Sequence, residues 1–148
     1  TIEVIMGGQA PTLEKVHELA RDMPRPTQVA VDVDDMAARM ARADLAIGAG
    51  GSTTWERCAL GLPSIIIEVA ANQASNARAL STTGAALNPG PLHAAAFAQN
   101  LQAAMADARD QLSTISGRIA HICDGAGSDR VSTYIGTLTK EGRSAPCH

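Results

Sequence analysis

The sequence predicts an α/β fold in which a parallel sheet is covered by helices on both faces. Short apolar runs alternate with amphipathic stretches, and the intervals between the runs are too long for hairpins. The run Ile65-Ile66-Ile67 is continuously apolar, which is typical of a strand covered on both sides. The first run, residues 2–6, ends at Gly7-Gly8, as a buried strand ends at a tight turn.

The first third of the chain contains alternating strands and helices. Strands are predicted at residues 2–6, 29–33 and 45–47. Thr12 is placed to cap a helix whose apolar face comprises Leu13, Val16, Leu19 and Ala20. That helix ends near Pro24, because proline lacks the backbone N–H and restrains the preceding residue. Asp34-Asp35 place carboxylates at the start of the next helix, where they stabilise the helix dipole.

The remainder of the chain continues the same alternation and then becomes helical. Strands are predicted at residues 64–69 and 85–87, and helices at 52–60, 93–108, 111–122 and 128–138. Asn72-Gln73 leads into a further helix, which contains Ala77, Ala79 and Leu80 and ends near Gly84. Gly61-Leu62-Pro63 ends the first of these helices, and residues 88–91 form a turn. We expect one nucleotide-binding domain over residues 1–140 and a tail over residues 141–148, which has no periodicity.

Composition excludes several classes of protein. The formal net charge is -3, and no run of Lys or Arg exists to follow a nucleic-acid backbone. The longest apolar runs are far shorter than the ~20 residues of a membrane span. Cys58, Cys123 and Cys147 are widely spaced, which predicts reduced cytoplasmic thiols, with neither a disulfide framework nor a zinc site. We expect no metal and no cofactor. Since the chain starts at Thr1 and leads at once into a strand, we expect it to be a piece of a longer protein.

Residues 45–56 predict a binding turn for an anion. An apolar strand is followed by Gly50-Gly51, and Ser52 or Thr53 could then cap a helix. Backbone N–H groups at such a turn converge on a small volume that suits a phosphate. The pattern is neither the dinucleotide fingerprint nor a P-loop nor a nucleophile elbow. A plain strand-to-helix turn is the alternative.

Other polar positions have two interpretations each. Glu56 either completes a capping box with Thr53 or accepts two sugar hydroxyls above the turn. Asn72, Gln73 and Asn76 either cap a helix or face a ligand. No residue is assigned a catalytic role, because no histidine is placed to act as base for Ser52.

The glycine turns are predicted to meet at one edge of a Rossmann-like sheet. Gly7-Gly8, Asp34 and Gly50-Gly51 each follow a predicted strand. Because the carboxyl ends of parallel strands meet at one edge, ligands of such folds bind there. This placement predicts a single crevice lined by three loops.

Residues 43–76 resemble a known family. Residues 43–58 read Ala-Asp-Leu-Ala-Ile-Gly-Ala-Gly-Gly-Ser-Thr-Thr-Trp-Glu-Arg-Cys, and they are followed by Leu-Gly-Leu-Pro-Ser and by Asn-Gln with Asn-Ala. This arrangement is similar to the UDP-sugar hydrolases of pseudaminic acid biosynthesis, which release UDP from UDP-2,4-diacetamido-2,4,6-trideoxy-β-L-altrose. Those enzymes share the fold of the GT-B glycosyltransferases, and the element order here agrees with a GT-B C-terminal half.

The resemblance implies a set of ligand contacts for UDP or a UDP-sugar. The backbone of Gly50, Gly51, Ser52 and Thr53 would hold the diphosphate, and Glu56 the ribose. The uracil would bind the backbone near Val33. The cleft and sugar residues would be Gly7, Gly8, Asn72, Gln73 and Asn76.

The resemblance also implies a missing part. The catalytic histidine of the family belongs to an N-terminal domain, and nothing in this chain corresponds to it. We therefore expect a UDP-binding domain of a UDP-sugar hydrolase in pseudaminic acid or polysaccharide biosynthesis, inactive by itself. The alternatives are the donor domain of a GT-B glycosyltransferase related to the one that forms lipid II, or a non-catalytic nucleotide-binding module.

Overall fold

The computed structural model describes residues 1–142, and its elements follow the predicted α/β order. The strands are β1 (Ile2–Met6), β2 (Thr27–Val31), β3 (Ala46–Ala49) and β4 (Ser64–Ile67). The helices are α1 (Leu13–Asp22), α2 (Met36–Arg42), α3 (Thr53–Ala59), α4 (Ala74–Thr82), α5 (Phe97–Ile119) and α6 (Gly127–Gly142), with a 3₁₀ turn at Ala71–Gln73. The chain forms two compact units, Thr1–Arg39 and Met40–His148.

The first unit contains the parallel pair β1 and β2. Their register sets Val4 opposite Val29 and Met6 opposite Val31. Helix α1 contacts β2. Of its predicted apolar face, Leu13, Val16 and Ala20 are half-buried, whereas Leu19 is exposed. No residue of 1–39 is fully buried, and apolar residues such as Val4, Ile5, Met6 and Val29 are half-buried.

The second unit contains the parallel pair β3 and β4. Ile47 lies opposite Ile65, and Gly48 opposite Ile66. Ile65 and Ile66 are fully buried, which confirms that their apolar run forms a strand covered on both faces.

The core of the second unit lies around β4 in two clusters. One contains Ile65 with Ala104 and Ala108 of α5. The other joins α3, β4, α4 and the end of α5, and comprises Cys58, Ile66, Ala77, Leu80, Ala85, Ala86 and Ile119. Small side chains dominate both clusters, as a chain with a single Trp, Tyr and Phe requires.

Two predicted strands differ from those observed. The second strand covers Thr27–Val31 and ends two residues earlier than predicted, because Asp32 takes a left-handed conformation with φ +49°. The predicted strand at residues 85–87 is reduced to a single parallel bridge between Leu87 and Ile65. Gly84 with φ +66° precedes this segment and Pro89 follows it, so little room remains for a ladder.

The prediction of two helices over residues 93–122 was wrong. The structure has one helix, α5, from Phe97 to Ile119. Residues 108–111 contain neither glycine nor proline, so nothing interrupts the backbone hydrogen bonds. His93 and its neighbours form turns before the helix, since Pro91 is held in a bridge with Glu68.

The C-terminal helix extends beyond the predicted boundary of the domain. Helix α6 continues to Gly142, whereas the tail was expected from residue 141. The rest of the predicted tail, including Cys147, lies outside the described residues. Within residues 1–142, no helix is both long enough and apolar enough to cross a membrane.

Candidate functional site

The glycine turn between β3 and α3 leaves three backbone N–H groups without partners. Gly50 N donates to Ile67 O at 3.3 Å, which continues the pairing of β3 with β4. The next bonded donors are Thr54 N, to Gly51 O at 3.1 Å, and Trp55 N, to Ser52 O at 3.0 Å. Across residues 1–142, no hydrogen bond is donated by the backbone of Gly51, Ser52 or Thr53. These groups are available to an anion.

Gly50 is required by packing. A Cβ at this position would lie 3.2 Å from Ile66 Cγ2 and 3.3 Å from Gln73 Cβ, which is tighter than ordinary contact. At Gly51 the nearest atom to such a Cβ would be Gln73 Nε2, at 4.0 Å. The turn is therefore closed on the Gly50 side and open at Gly51.

The predicted side-chain cap at Ser52 or Thr53 is not formed. Ser52 occupies the cap position with helical angles, φ -58° and ψ -36°, and its side chain makes no capping hydrogen bond. Capping requires an extended cap residue, which would turn the side-chain oxygen back toward the helix. Both side chains are exposed.

Glu56 also lacks the capping interaction that one interpretation assigned to it. Its carboxylate is exposed and accepts no hydrogen bond from any residue that the structure describes. The capping box with Thr53 therefore does not form, because the helix begins at Thr53 itself. A role for Glu56 at a ribose stays a prediction.

The three amides at the start of α4 do not cap the helix either. Gln73 occupies the cap position with helical angles and makes no side-chain cap bond. Its Oε1 is buried and has no hydrogen-bond partner among the described residues. Asn72 is exposed and Asn76 half-buried. The capping interpretation is wrong here, and the buried amide of Gln73 beside Gly50 remains unexplained by the fold alone.

Arg57 is buried next to the glycine turn, and sequence reasoning missed it. The side chain is 4% exposed. Its Nη2 donates to Ala49 O at 2.8 Å and to Thr54 Oγ1 at 3.0 Å. A Cβ on Gly48 would lie only 2.7 Å from Nη1. The glycine at position 48, directly opposite a bulky strand residue, was the available signal.

In the first unit, the loops after β1 and β2 form a small cleft. It has a volume of about 320 Å³ and is lined by Ile5, Met6, Gly7, Asp32, Val33 and Met36. Gly8 N donates to Asp32 Oδ1 at 2.7 Å, which ties the two loops together. Asp32 was not singled out from the sequence. The convergence of Gly7-Gly8, Asp34 and Gly50-Gly51 on one crevice stays a prediction.

Comparison with solved structures defines the class of fold. The chain resembles MurG from Acinetobacter baumannii with a TM-score of 0.71 and 20% identity, over 91% of this chain and 43% of that one. This likeness confirms the predicted α/β fold with parallel strands, as in the C-terminal domain of a GT-B protein.

The chain belongs to the family described as glycosyltransferase family 28 C-terminal domain, which matches residues 3–113. It is also 31% identical over 86 residues to the spore coat polysaccharide biosynthesis protein SpsG of Bacillus subtilis. That match spans 58% of this chain and 25% of the relative. The chain therefore covers about a quarter of SpsG and less than half of the MurG chain. Membership of glycosyltransferase family 28 is confirmed at this level, whereas the resemblance to hydrolases of pseudaminic acid biosynthesis is not.

Proposed function

We propose that this chain is the donor-binding domain of a glycosyltransferase that uses a UDP-sugar in polysaccharide biosynthesis. Membership of glycosyltransferase family 28 carries the proposal. The similarity to a polysaccharide biosynthesis protein supports the pathway class. The expected hydrolase activity has no support from these comparisons, and the transferase alternative fits them better.

The glycine turn is the proposed site of the diphosphate. Its free N–H groups belong to Gly51, Ser52 and Thr53, and Gly50 gives the turn its close packing against Gln73. Backbone donors of this kind suit phosphate oxygens, because the fold has already oriented them. The buried Oε1 of Gln73 would accept a hydrogen bond from a sugar hydroxyl or amide.

Glu56 is the proposed ribose ligand. An exposed carboxylate without an internal partner can accept two hydroxyl hydrogen bonds from the ribose, and such charge-assisted bonds are strong. Asn72 and Asn76 are proposed to face the sugar. In the first unit, the backbone near Val33 is proposed for the uracil, and Gly7 and Gly8 for the cleft. A histidine in an N-terminal domain outside this chain is not required for binding.

Calorimetric titration with UDP, CDP and ADP tests the proposal. We expect UDP to bind more tightly than CDP or ADP. Glu56→Ala should weaken UDP binding by about 1–3 kcal/mol through loss of charge-assisted hydrogen bonds. Glu14→Ala, which removes an exposed carboxylate from α1, is the matched control and should leave the affinity unchanged. Equal affinities of wild type and Glu56→Ala would contradict the ribose role.

An assay of the full-length protein distinguishes transfer from hydrolysis. A transferase releases UDP from its donor sugar only when an acceptor is present, whereas a hydrolase releases UDP and free sugar without one. We expect UDP release to depend on the acceptor. Stoichiometric free sugar in the absence of acceptor would restore the hydrolase interpretation.

A further inference from the structure

Arg57 holds the first peptide of the glycine turn. Its Nη2 donates to Ala49 O at 2.8 Å, and Thr54 Oγ1 donates to the same oxygen at 3.4 Å. The Ala49 carbonyl and the Gly50 N–H belong to one planar peptide unit, so fixing the carbonyl fixes that plane. The orientation of this peptide plane sets the direction in which the chain enters Gly51 and Ser52.

The charge of Arg57 has no anionic partner in the part of the chain that the structure describes. Its hydrogen bonds go to a carbonyl and a hydroxyl, and its buried Nε has no partner at all. Burial lowers the pKa of the guanidinium, and the neighbouring Cys58 and Glu56 oppose that shift more weakly. A buried cation that is satisfied only by neutral groups is costly unless an anion compensates it.

Two other arginines, Arg39 and Arg130, have carboxylate partners, which Arg57 lacks. Arg39 bonds Asp35 and Glu3, and Arg130 bonds Asp124. Both lie near the surface, where water can also solvate them. Arg57 therefore stands out as a cation that is both buried and without a carboxylate among residues 1–142.

We propose that Arg57 is a positioning residue for the diphosphate of the nucleotide, holding the turn open to it and placing a positive charge directly behind it. This inference rests on the proposed function of the turn. Helix α3 has only 7 residues, so its dipole alone is a weak attraction for an anion. The buried guanidinium adds a full charge in a medium that screens it less than water does.

The test compares UDP with uridine, which lacks the phosphates. Affinities are measured for wild type, Arg57→Met and Arg57→Lys by calorimetry for UDP and by ligand-observed NMR for uridine. Arg109→Met, which removes an exposed charge from α5, is the control for net charge. Circular dichroism and the thermal midpoint confirm that each variant is folded.

We expect Arg57→Met to weaken UDP binding roughly tenfold and to leave uridine binding unchanged, since only the phosphates interact with the charge. Arg57→Lys should keep most of the preference for UDP over uridine, because it keeps the charge. Arg109→Met should behave as wild type.

Two results would overturn the inference while leaving the proposed function intact. One is a folded Arg57→Met with the wild-type ratio of UDP to uridine affinity. The other is a folded Arg57→Lys that has lost the preference, and this variant decides the matter if Arg57→Met does not fold. Wild-type protein that fails to bind UDP would overturn the proposed function, and the inference with it.

Discussion

The backbone N–H of Gly8 donates to Oδ1 of Asp32 at 2.7 Å, joining the loops that follow β1 and β2. Asp32 is the one non-glycine residue among those described with a positive φ, at +49°. Aspartate tolerates this conformation better than most residues, and here its carboxylate is turned toward Gly8. The same two loops line the cleft that contains Val33.

Alanine at Gly8 and at Gly7 should have different effects. A Cβ on Gly8 would lie 2.3 Å from Asp32 Oδ2, so the exposed carboxylate must move and its hydrogen bond is lost. We expect Gly8→Ala to lower the free energy of unfolding by about 1–2 kcal/mol in urea titrations. Gly7→Ala is the control, since its Cβ would be 3.9 Å from Asp32 Oδ1. Equal losses in both variants would show that the contact with Asp32 is not the cause.

Alanine substitutions at Gly50 and Gly51 should distinguish a role in packing from a role in ligand binding. Gly50→Ala forces its Cβ against Ile66 and Gln73, at 3.2 and 3.3 Å, and should destabilise the fold by about 1–3 kcal/mol. Gly51→Ala meets no close atom and should leave the thermal midpoint nearly unchanged. If phosphate approaches the backbone at Gly51, the added methyl should still weaken UDP binding several-fold. Unchanged affinity in Gly51→Ala would place the diphosphate elsewhere.

Asn88 should stabilise the loop after β4 through a buried carboxylate. Glu68 is 7% exposed, and its Oε1 accepts a hydrogen bond from Asn88 Nδ2 at 2.8 Å. Asn88 Oδ1 in turn accepts from Gly90 N at 2.8 Å. Asn88→Ala leaves both groups unsatisfied and should cost about 2–3 kcal/mol of unfolding free energy.

The control for Asn88 is Asn100→Ala, which removes a single hydrogen bond to Pro89 O at 3.1 Å. It should cost only about 1 kcal/mol. The double variant Asn88→Ala with Glu68→Ala, compared with the two single variants, reports the coupling energy between the two side chains. Additive losses would mean that the hydrogen bond between them contributes nothing.

Stability should fall at alkaline pH because of Cys58. Burial, with a smaller effect of Cys123, raises the pKa of the Cys58 thiol above its ordinary value of 9.0. A raised pKa in the folded state means that the folded chain keeps a proton that the unfolded chain releases. The contribution of Cys58 to the free energy of unfolding is therefore complete below about pH 9. It is lost as the pH rises through the pKa of the thiol in the folded state.

The measurement is the free energy of unfolding across the alkaline range for wild type, Cys58→Ala and Cys123→Ala. The decline with pH should be less steep in Cys58→Ala than in wild type. It should remain in Cys123→Ala, where the buried thiol is still present. Parallel curves for wild type and Cys58→Ala would assign the alkaline loss to other groups.

The glycine turn and the order of elements could be predicted from the sequence, because they depend on neighbours in the chain. The run Ile65-Ile66-Ile67 and the break at Gly50-Gly51 encode a strand and a turn locally. The capping interpretations of Ser52 and Gln73 failed for a different reason. Both residues have the right chemistry, but their backbone angles are helical, and these angles are set by packing.

The sequence by itself determined the α/β class, the apolar strands and the position of the turn, since hydrophobic period and glycine placement act over a few residues. Only the tertiary structure decided that Arg57 is buried beside Ala49, that Gln73 packs against Gly50, and that α5 is continuous. These outcomes depend on which distant segments meet. A charged residue in a short helix has the same neighbours in the sequence whether its side chain lies in solvent or in the core. The free energy that decides between these two environments comes from long-range packing.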